Sequence, residues 1–362
     1  MMFSNGIAII AITSRGVETA LRIKEALTKK DFLCVVYAPE KYSRSGFVPL
    51  NKKFDEFVKD KYQAVGAIVG VMATGIIIRA VAPLLQGKLV DPAVIGVDAS
   101  GHFVISLLSG HYGGANELTK LIADGIGATP VITTASDVMG KQSIDELTRV
   151  LHLKIENPAS LVAVNSVIVN NGSTVLVKLR DAKIPLTTAI GMDVREAATA
   201  EEAAKIVNRY DAGAIIALKT PQPKLFVKPV TFLKPLTISV GLGARKEISE
   251  EAVVDAVSAA LAKTRVPLER VDRIATVNIK KDSQSMIGAA ERLGLKLEFI
   301  DLDALGKFKH PDLSADSEIV KRNIGVGGVC ERAALITAGE KPRLILKKTV
   351  LNGVTVAVAE GE

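Results

Sequence analysis

At 362 residues, 48% of them hydrophobic, the chain is long enough to bury two or three separate cores, and its formal charge of +7 is spread along its length. No segment alternates basic residues with aromatics, which disfavours nucleic acid, and the apolar stretch Gln63 to Ile78 falls short of the roughly 20 residues of a membrane span. Cys34 and Cys330 lie far apart and outside any C-x-x-C pair, so neither a disulfide framework nor a thiolate metal site is expected. The apolar run Gly6–Ile12 lacks a basic leader and reads as strand and turn, which makes a reducing cytoplasm the expected location. A mild positive excess suits a small polyanionic ligand as well as it suits a plain solvated surface.

In chain order, Ile7–Ile12 reads as a strand, Val17–Thr28 as a helix and Phe32–Val36 as a strand. Ala67–Val71 is a further strand leading into a helix over Thr74–Val81. This alternation is the pattern of a parallel sheet with crossover helices. Ala93–Asp98 and His102–Leu107 flank the turn Ala99-Ser100-Gly101 and predict a hairpin. The hairpin delivers the chain to Ser109-Gly110-His111, after which Ala115, Leu118, Leu121 and Ile122 recur at helical spacing, so His111 stands where a strand becomes a helix.

Val131–Thr133 is expected as a short strand, with Ala135-Ser136-Asp137 capping the next helix. A middle region from Met139 to Lys234 is expected to hold a second hairpin, Ser166–Val169 and Thr174–Leu179 about Asn170-Asn171-Gly172. It closes on the proline-rich Lys219–Pro223 and Lys234-Pro235. The last third begins with a strand Leu236–Val240, a turn Gly241-Leu242-Gly243 and a helix capped by Ser249 with Glu250 and Glu251 in its first turn. Strands over Ile274–Ile279, Lys296–Ile300, Leu344–Lys347 and Val354–Val358, and a helix over Cys330–Ala338, complete it. The expected class is α/β and multi-domain. A Rossmann-like three-layer domain over 1–138 is followed by a middle region over 139–234 and a separate α/β domain over 235–362.

Polar residues with chemical potential concentrate between Gly70 and Asp137 at the ends of apolar runs, where ligands bind in open α/β sheets. Gly110, Gly113 and Gly114 allow close approach to the free N–H groups of a helix start. His111 is either a proton carrier or a capped structural residue. Thr74 and Gly75 can present donors, and Arg79 can clamp a carboxylate or pair internally with Asp91. Gly241 and Gly243 suggest a dinucleotide loop, but the third glycine is replaced by Lys246, which favours a tight turn. The run holding Gly327 and Gly328 can bind an anion or merely permit close packing. The four histidines are dispersed, and no H-E-x-x-H, G-x-S-x-G or Walker motif occurs.

Gly75-Ile76-Ile77-Ile78-Arg79-Ala80-Val81-Ala82-Pro83-Leu84-Leu85, Lys88, Asp91-Pro92-Ala93-Val94, Leu107-Leu108-Ser109-Gly110-His111 with Gly113-Gly114-Ala115-Asn116-Glu117, and Ala128–Ala135 together resemble the amino-terminal domain of the CbiG family. Val240-Gly241-Leu242-Gly243-Ala244-Arg245 and Gly325–Val329 with Glu331, Ala333 and Ala334 are similar to the carboxyl-terminal domain that this family shares with CobE. Where the family often has Gly-Cys-Arg-Arg-Gly-Thr-Ser, this chain has Gly243-Ala244-Arg245-Lys246-Glu247-Ile248-Ser249, so no role of that cysteine carries over.

The resemblance implies a cobalt-precorrin-5A hydrolase of cobalamin (vitamin B12) biosynthesis, opening the ring-A δ-lactone and releasing the C20 unit as acetaldehyde. The alternative is a non-catalytic corrinoid-binding or channelling protein of the same pathway. No cofactor is implied, since cobalt arrives within the substrate. The expected partner is the small-molecule corrinoid, without nucleic acid or membrane, with room for a homodimer and for transient contacts with other enzymes of the pathway. His111 would activate water or shuttle a proton, and Ser109, Asn116 and the N–H groups near Gly113 would hold the oxyanion. Thr74, Gly75, Arg79, Lys88, Asp91, Gly110, Gly114, Gly241, Gly243, Arg245, Gly327 and Gly328 would contact substrate. The loops at Thr74 and His111 are expected to converge on one cleft.

Overall fold

The computed structural model describes residues 3, 5–42, 47–182, 184–185, 191–245 and 247–362. Its first part runs β1 (Ile7–Ala11), α1 (Ser14–Thr28), β2 (Cys34–Ala38), β3 (Val48–Pro49), α2 (Phe54–Lys61), β4 (Ala67–Val71), α3 (Thr74–Val81), β5 (Ala93–Val97), β6 (Phe103–Leu108), α4 (Ala115–Ile126), β7 (Thr129–Val131), α5 (Ala135–Val138) and α6 (Ile144–Leu151). There follow β8 (Leu153–Ile155), α7 (Leu161–Val169), β9 (Thr174–Leu179), β10 (Asp193–Ala197), α8 (Ala200–Val207), β11 (Ala212–Ile216) and β12 (Val230–Pro235). The last part comprises β13 (Thr237–Ala244), α9 (Glu250–Thr264), β14 (Arg273–Val277), α10 (Gln284–Arg292), β15 (Lys296–Ile300), α11 (Leu302–Lys307), α12 (Glu318–Ile324), α13 (Cys330–Ala338), β16 (Arg343–Leu351) and β17 (Val354–Gly361).

Contacts divide the chain into two compact units, Met2–Arg149 with Leu161–Ser173, and Val150–Ser160 with Thr174–Glu362. The former is built on a seven-stranded sheet of order β3-β2-β1-β4-β5-β6-β7. Every residue of β1, β4 and β5 is buried, as central strands covered on both faces must be. Ile7, Ile9, Val69 and Ile95 point to one face beneath α1 and α4, while Ala8, Ile10, Ile68 and Val94 meet Phe57, Val58 and Ile77 of α2 and α3 on the other. The result is a three-layer α/β unit.

Strand register positions the loops of this unit. β4 and β5 are parallel, with Ala67 level with Ala93 and Val71 with Val97, but β6 returns antiparallel, with Val104 opposite Val97 and Leu108 opposite Val94. The loop after β6, which carries His111, is therefore at the opposite end of the sheet from the loop after β4, which carries Thr74. Helix α3 then runs back along the sheet, which returns the chain toward the His111 end by Lys88.

The second unit holds two five-stranded sheets, of orders β10-β9-β11-β12-β8 and β15-β14-β13-β17-β16. The second hairpin expected from the sequence is absent: Ser166–Val169 is the end of helix α7, whose buried Val164 and Ile168 stand four apart and override the strand preference of a β-branched run. The pairing expected for Thr174–Leu179 goes instead to β10 and β11, both parallel to β9. Lys219–Pro223 connects β11 to β12, and Lys234-Pro235 ends β12. Strand β7 begins at Thr129, ahead of its expected start, and Ala135-Ser136-Asp137 forms α5 itself with Thr134 at its N-cap position.

Gly241-Leu242-Gly243 is not a turn. These residues sit inside β13, paired along its length with β17. Gly241 is required by packing, because an added Cβ would come 1.8 Å from the Cys330 carbonyl oxygen at the start of α13. Gly241→Ala must push the helix off the strand and is expected to cost roughly 3 kcal/mol, read as a lower urea midpoint at unchanged slope.

Candidate active site

Strand β6 ends at Leu108, and the next residue, Ser109, takes a left-handed backbone with φ 58°. The chain then folds over the start of α4: Ala115 N–H donates to the Ser109 carbonyl (3.1 Å) and Asn116 N–H to that of Gly110 (3.0 Å). Gly110 and Gly113 are needed here, since an added Cβ would meet Asn116 Oδ1 at 2.7 Å and Ser109 Cβ at 2.5 Å. Gly114, at φ 81°, is the N-cap residue of α4.

The fold of this loop carries the His111 ring to the first turns of α5 and α6. Nε2 lies 3.0 Å from Asp137 Oδ2 and 2.9 Å from Ser136 Oγ, while Nδ1 lies 3.1 Å from Asp145 Oδ2 and 3.1 Å from Ser143 Oγ. Burial works against a charge on the ring, but Asp145 and then Asp137 outweigh it and raise the His111 pKa above its usual value. A carboxylate at each nitrogen, together with the raised pKa, favours the doubly protonated ring. Burial likewise works against the charge of both aspartates, yet Asp137 is held below the usual carboxylate range by Thr134, Lys120 and His111, and Asp145 by His111 and Asn165.

Asn116 is committed at both ends of its amide. Nδ2 donates to Thr134 Oγ1 (2.7 Å) and Asp137 Oδ2 (2.7 Å), and Oδ1 accepts from Ser106 Oγ (2.7 Å). Asn165 donates to Asp145 Oδ1 at 2.9 Å. Arg149 donates through Nε to the His111 carbonyl (3.1 Å) and pairs with Glu117 (3.1 Å). These groups line a cavity of about 370 Å³ walled by Lys88, the Ser106–Tyr112 stretch, Asn116, Thr133–Ser136, Ser143, Asp145, Asn165, Ile168 and Val169.

Of the residues expected from sequence, His111, Ser109, Asn116, Gly110 and Lys88 meet at this cavity, with Gly113 and Gly114 in the loop that forms its wall. Each nitrogen of His111 faces a carboxylate and a serine hydroxyl, an arrangement that disfavours the water-activating role expected for it. Asn116 has no amide hydrogen directed to an oxyanion. Ser109 Oγ is buried and, among the described residues, finds no hydrogen-bond partner.

Thr74, Gly75 and Arg79 do not converge with His111. The reversal of β6 puts them at the other end of the sheet, where the exposed Arg79 folds back over Gly75. Nor does Arg79 pair with Asp91, which is buried and closes its own loop by accepting from Gln86 N–H (2.9 Å) and Gly87 N–H (3.0 Å). Gly241, Gly243, Arg245, Gly327 and Gly328 belong to the other unit. There Gly243 packs against Thr355, whose Oγ1 an added Cβ would meet at 2.5 Å, Arg245 is exposed, and Gly327 packs against Asp316, which an added Cβ would meet at 2.0 Å.

Sequence reasoning missed Ser136 and Asp137 as site residues, and Ser143, Asp145 and Asn165 altogether. One signal was present: Ser143-Ile144-Asp145-Glu146 is a helix-start pattern, borne by the Glu146 N–H to Ser143 Oγ bond of 3.3 Å.

Two family models match the chain, Cobalamin synthesis G N-terminal over residues 56–137 and Cobalamin synthesis G C-terminus over residues 238–359. The chain is 31% identical over 337 residues to the cobalt-precorrin-5A hydrolase of Salmonella typhimurium, covering 92% of each. It belongs to the CbiG family. The cobalt-precorrin-5A hydrolase of Priestia megaterium is 27% identical over 97% of this chain and 94% of its own length. A crystal structure of a cobalamin biosynthesis protein G homologue from Sulfolobus solfataricus aligns over 100% of this chain and 99% of that one, with 25% identity and a TM-score of 0.63. In this CbiG chain the amino-terminal match contains His111, Asn116 and Asp137 but ends before Asp145. Among the described residues no helix is long and apolar enough to cross a membrane, and no three His, Cys, Asp or Glu are grouped to hold a metal ion.

The charged cluster gives this unit a pH-dependent stability. His111 has its folded pKa raised above about 6.5, so its contribution is complete below that value and is lost as pH rises through the folded pKa. Asp137 and Asp145 have lowered values, so theirs is complete above about 4 and is lost on acidification through the folded pKa. Urea midpoints should therefore fall on the alkaline side in the wild type and lose that dependence in His111→Ala. The variant should also be less stable by roughly 3 kcal/mol at neutral pH, because it leaves two largely buried carboxylates facing each other.

Proposed function

We propose that this chain is a cobalt-precorrin-5A hydrolase, opening the ring-A δ-lactone and releasing the C20 unit as acetaldehyde to leave cobalt-precorrin-5B. The observation that carries this reading is 31% identity across 92% of the chain with a protein of that name. The chemistry of the cavity supports it. Cobalt enters and leaves within the macrocycle as part of the substrate.

Hydrolysis bonds a water oxygen to the lactone carbonyl carbon, breaks the ring C–O bond and leaves an alkoxide on C20 that must be protonated. Loss of acetaldehyde then requires the C20 hydroxyl to surrender its proton as the bond from C20 to the macrocycle breaks, with the electron pair passing into the conjugated ring. His111, on the cavity wall with Ser136 Oγ 2.9 Å from Nε2, is the proton source for the leaving oxygen, the Nε2 proton passing to that hydroxyl as the hydroxyl gives its own to the alkoxide. Once it has given up that proton it is the base for the second step. Its positive charge also favours the oxyanion that forms before the C–O bond breaks. Lys88, exposed at the cavity edge, pairs with a peripheral carboxylate.

A cavity of about 370 Å³ is at the small end for ligand sites, so it takes one pyrrole ring with its lactone and not the whole macrocycle. The free, buried Cys34 and Cys330 suit a reducing cytoplasm.

The purified chain, incubated anaerobically with cobalt-precorrin-5A, should release acetaldehyde in a one-to-one ratio with substrate consumed. Lys88→Ala should raise KM about tenfold with a smaller effect on kcat. Tight binding of the corrinoid with no acetaldehyde above the enzyme-free rate would leave only the binding-protein reading.

A further inference from the structure

The chain between the two family-model matches, residues 138–237, has no role assigned by them. Part of it builds the cavity. The start of α6 delivers Asp145, with Ser143 just before the helix, and α7, reached after the chain has made β8 in the other unit, delivers Asn165. We propose that Asp145 and Asn165 are positioning residues of the active site: Asn165 fixes the Asp145 carboxylate, and Asp145 fixes the His111 ring with its Nδ1 protonated. The proposal rests on the hydrolase reading for the reaction that His111 serves.

Three observations support it. Asn165 is bonded at both ends to the first turn of α6, its Nδ2 donating to Asp145 Oδ1 (2.9 Å) and its Oδ1 accepting from Ile144 N–H (3.0 Å), so the carboxylate is held against rotation. Helix α7 is itself pinned by Lys141 Nζ donating to the Ile168 carbonyl at 2.6 Å. Asp145 and Asp137 also differ in their surroundings. Asp137 shares its charge among Lys120, Thr134, Asn116 and His111, whereas Asp145 meets His111 with the neutral amide of Asn165 and its own backbone N–H behind it and no second cation.

The other charges near the ring are Glu146 and Arg149 on α6, Glu117 and Lys120 on α4, and Lys88 at the cavity edge. Arg149 is paired with Glu117 and Lys120 with Asp137. Asp145 is thus the carboxylate whose removal most changes how tightly the ring holds its proton. A fixed Nδ1–H leaves Nε2 as the nitrogen whose proton moves.

The test uses the full chain and two readouts, the pH profile of kcat for acetaldehyde release and the titration of the His111 ring followed by NMR without substrate. Asp145→Asn keeps the shape and removes the charge. It is expected to move both the alkaline limb of kcat and the ring titration down by about one unit or more, to lower kcat at pH 7.5 by about tenfold or more, and to change KM less than about threefold. Asn165→Ala should move both readouts the same way by a smaller step, and Asp145→Glu should restore part of the loss.

A folded Asp145→Asn whose ring titration stays with the wild type overturns the proposal. So does a kcat limb that stays put while the ring titration moves. If Asp145→Asn does not fold, an unshifted ring titration in Asn165→Ala overturns it. Absence of acetaldehyde release by the wild type would instead sink the hydrolase reading, and the NMR titrations would still decide whether Asp145 and Asn165 govern the ring.

Discussion

One histidine held between two carboxylates organises the first unit. Burying an imidazolium is costly, and it persists only where opposite charges and hydrogen bonds replace the lost water. Here the replacements come from the first turns of α5 and α6, while the histidine comes from the loop that opens α4. Three helix starts must therefore meet at one ring. This explains the close fit of Gly110 over Asn116, the left-handed Ser109, and the commitment of Asn116 to Thr134 and Asp137 instead of to a ligand. The polar network is almost fully bonded, which suits a site whose geometry is set before substrate arrives.

The position of that ring follows from a single reversal. In an all-parallel sheet of this order, the ligand crevice would lie beyond the carboxyl ends of the strands where the order turns, near β1 and β4. Here the β5–β6 pair is antiparallel, so the loop after β6 opens at the opposite end, beside the starts of β4 and β5. Helix α3 bridges the two ends. Its first residues, Thr74 and Gly75, do not line the cavity, while Lys88, a few residues beyond its end, does.

Much of the first and last thirds could be read from the chain because their signals are local. β4, α3, β15 and α13 begin and end where apolar period and flanking residues place them, and Ser249 caps α9 as its side chain requires. The middle was harder to read: the β-branched stretch of α7 has strand preferences and takes a helical form only because Val164 and Ile168 are buried on one side. For the site, Ser109–Asn116 was legible because its glycines and its strand-to-helix position are adjacent in sequence. The partners of His111 were not, since Asp137, Asp145 and Asn165 are 26, 34 and 54 residues away and only the tertiary fold brings them together. The same limit applies to Gly241, whose partner is a carbonyl almost ninety residues on.

The excursion of the chain after α6 also imposes an order of events as the protein emerges from the ribosome. The seven strands of the first sheet are all present once Val131 has emerged, and the ring and its first carboxylate by Asp137. The cavity wall still lacks Asn165, Ile168 and Val169 until residues 150–160, which belong to the other compact unit, have been made. A nascent first unit therefore exists for a time with a closed sheet and an open, charged groove, which α7 must fill before the site has its final shape.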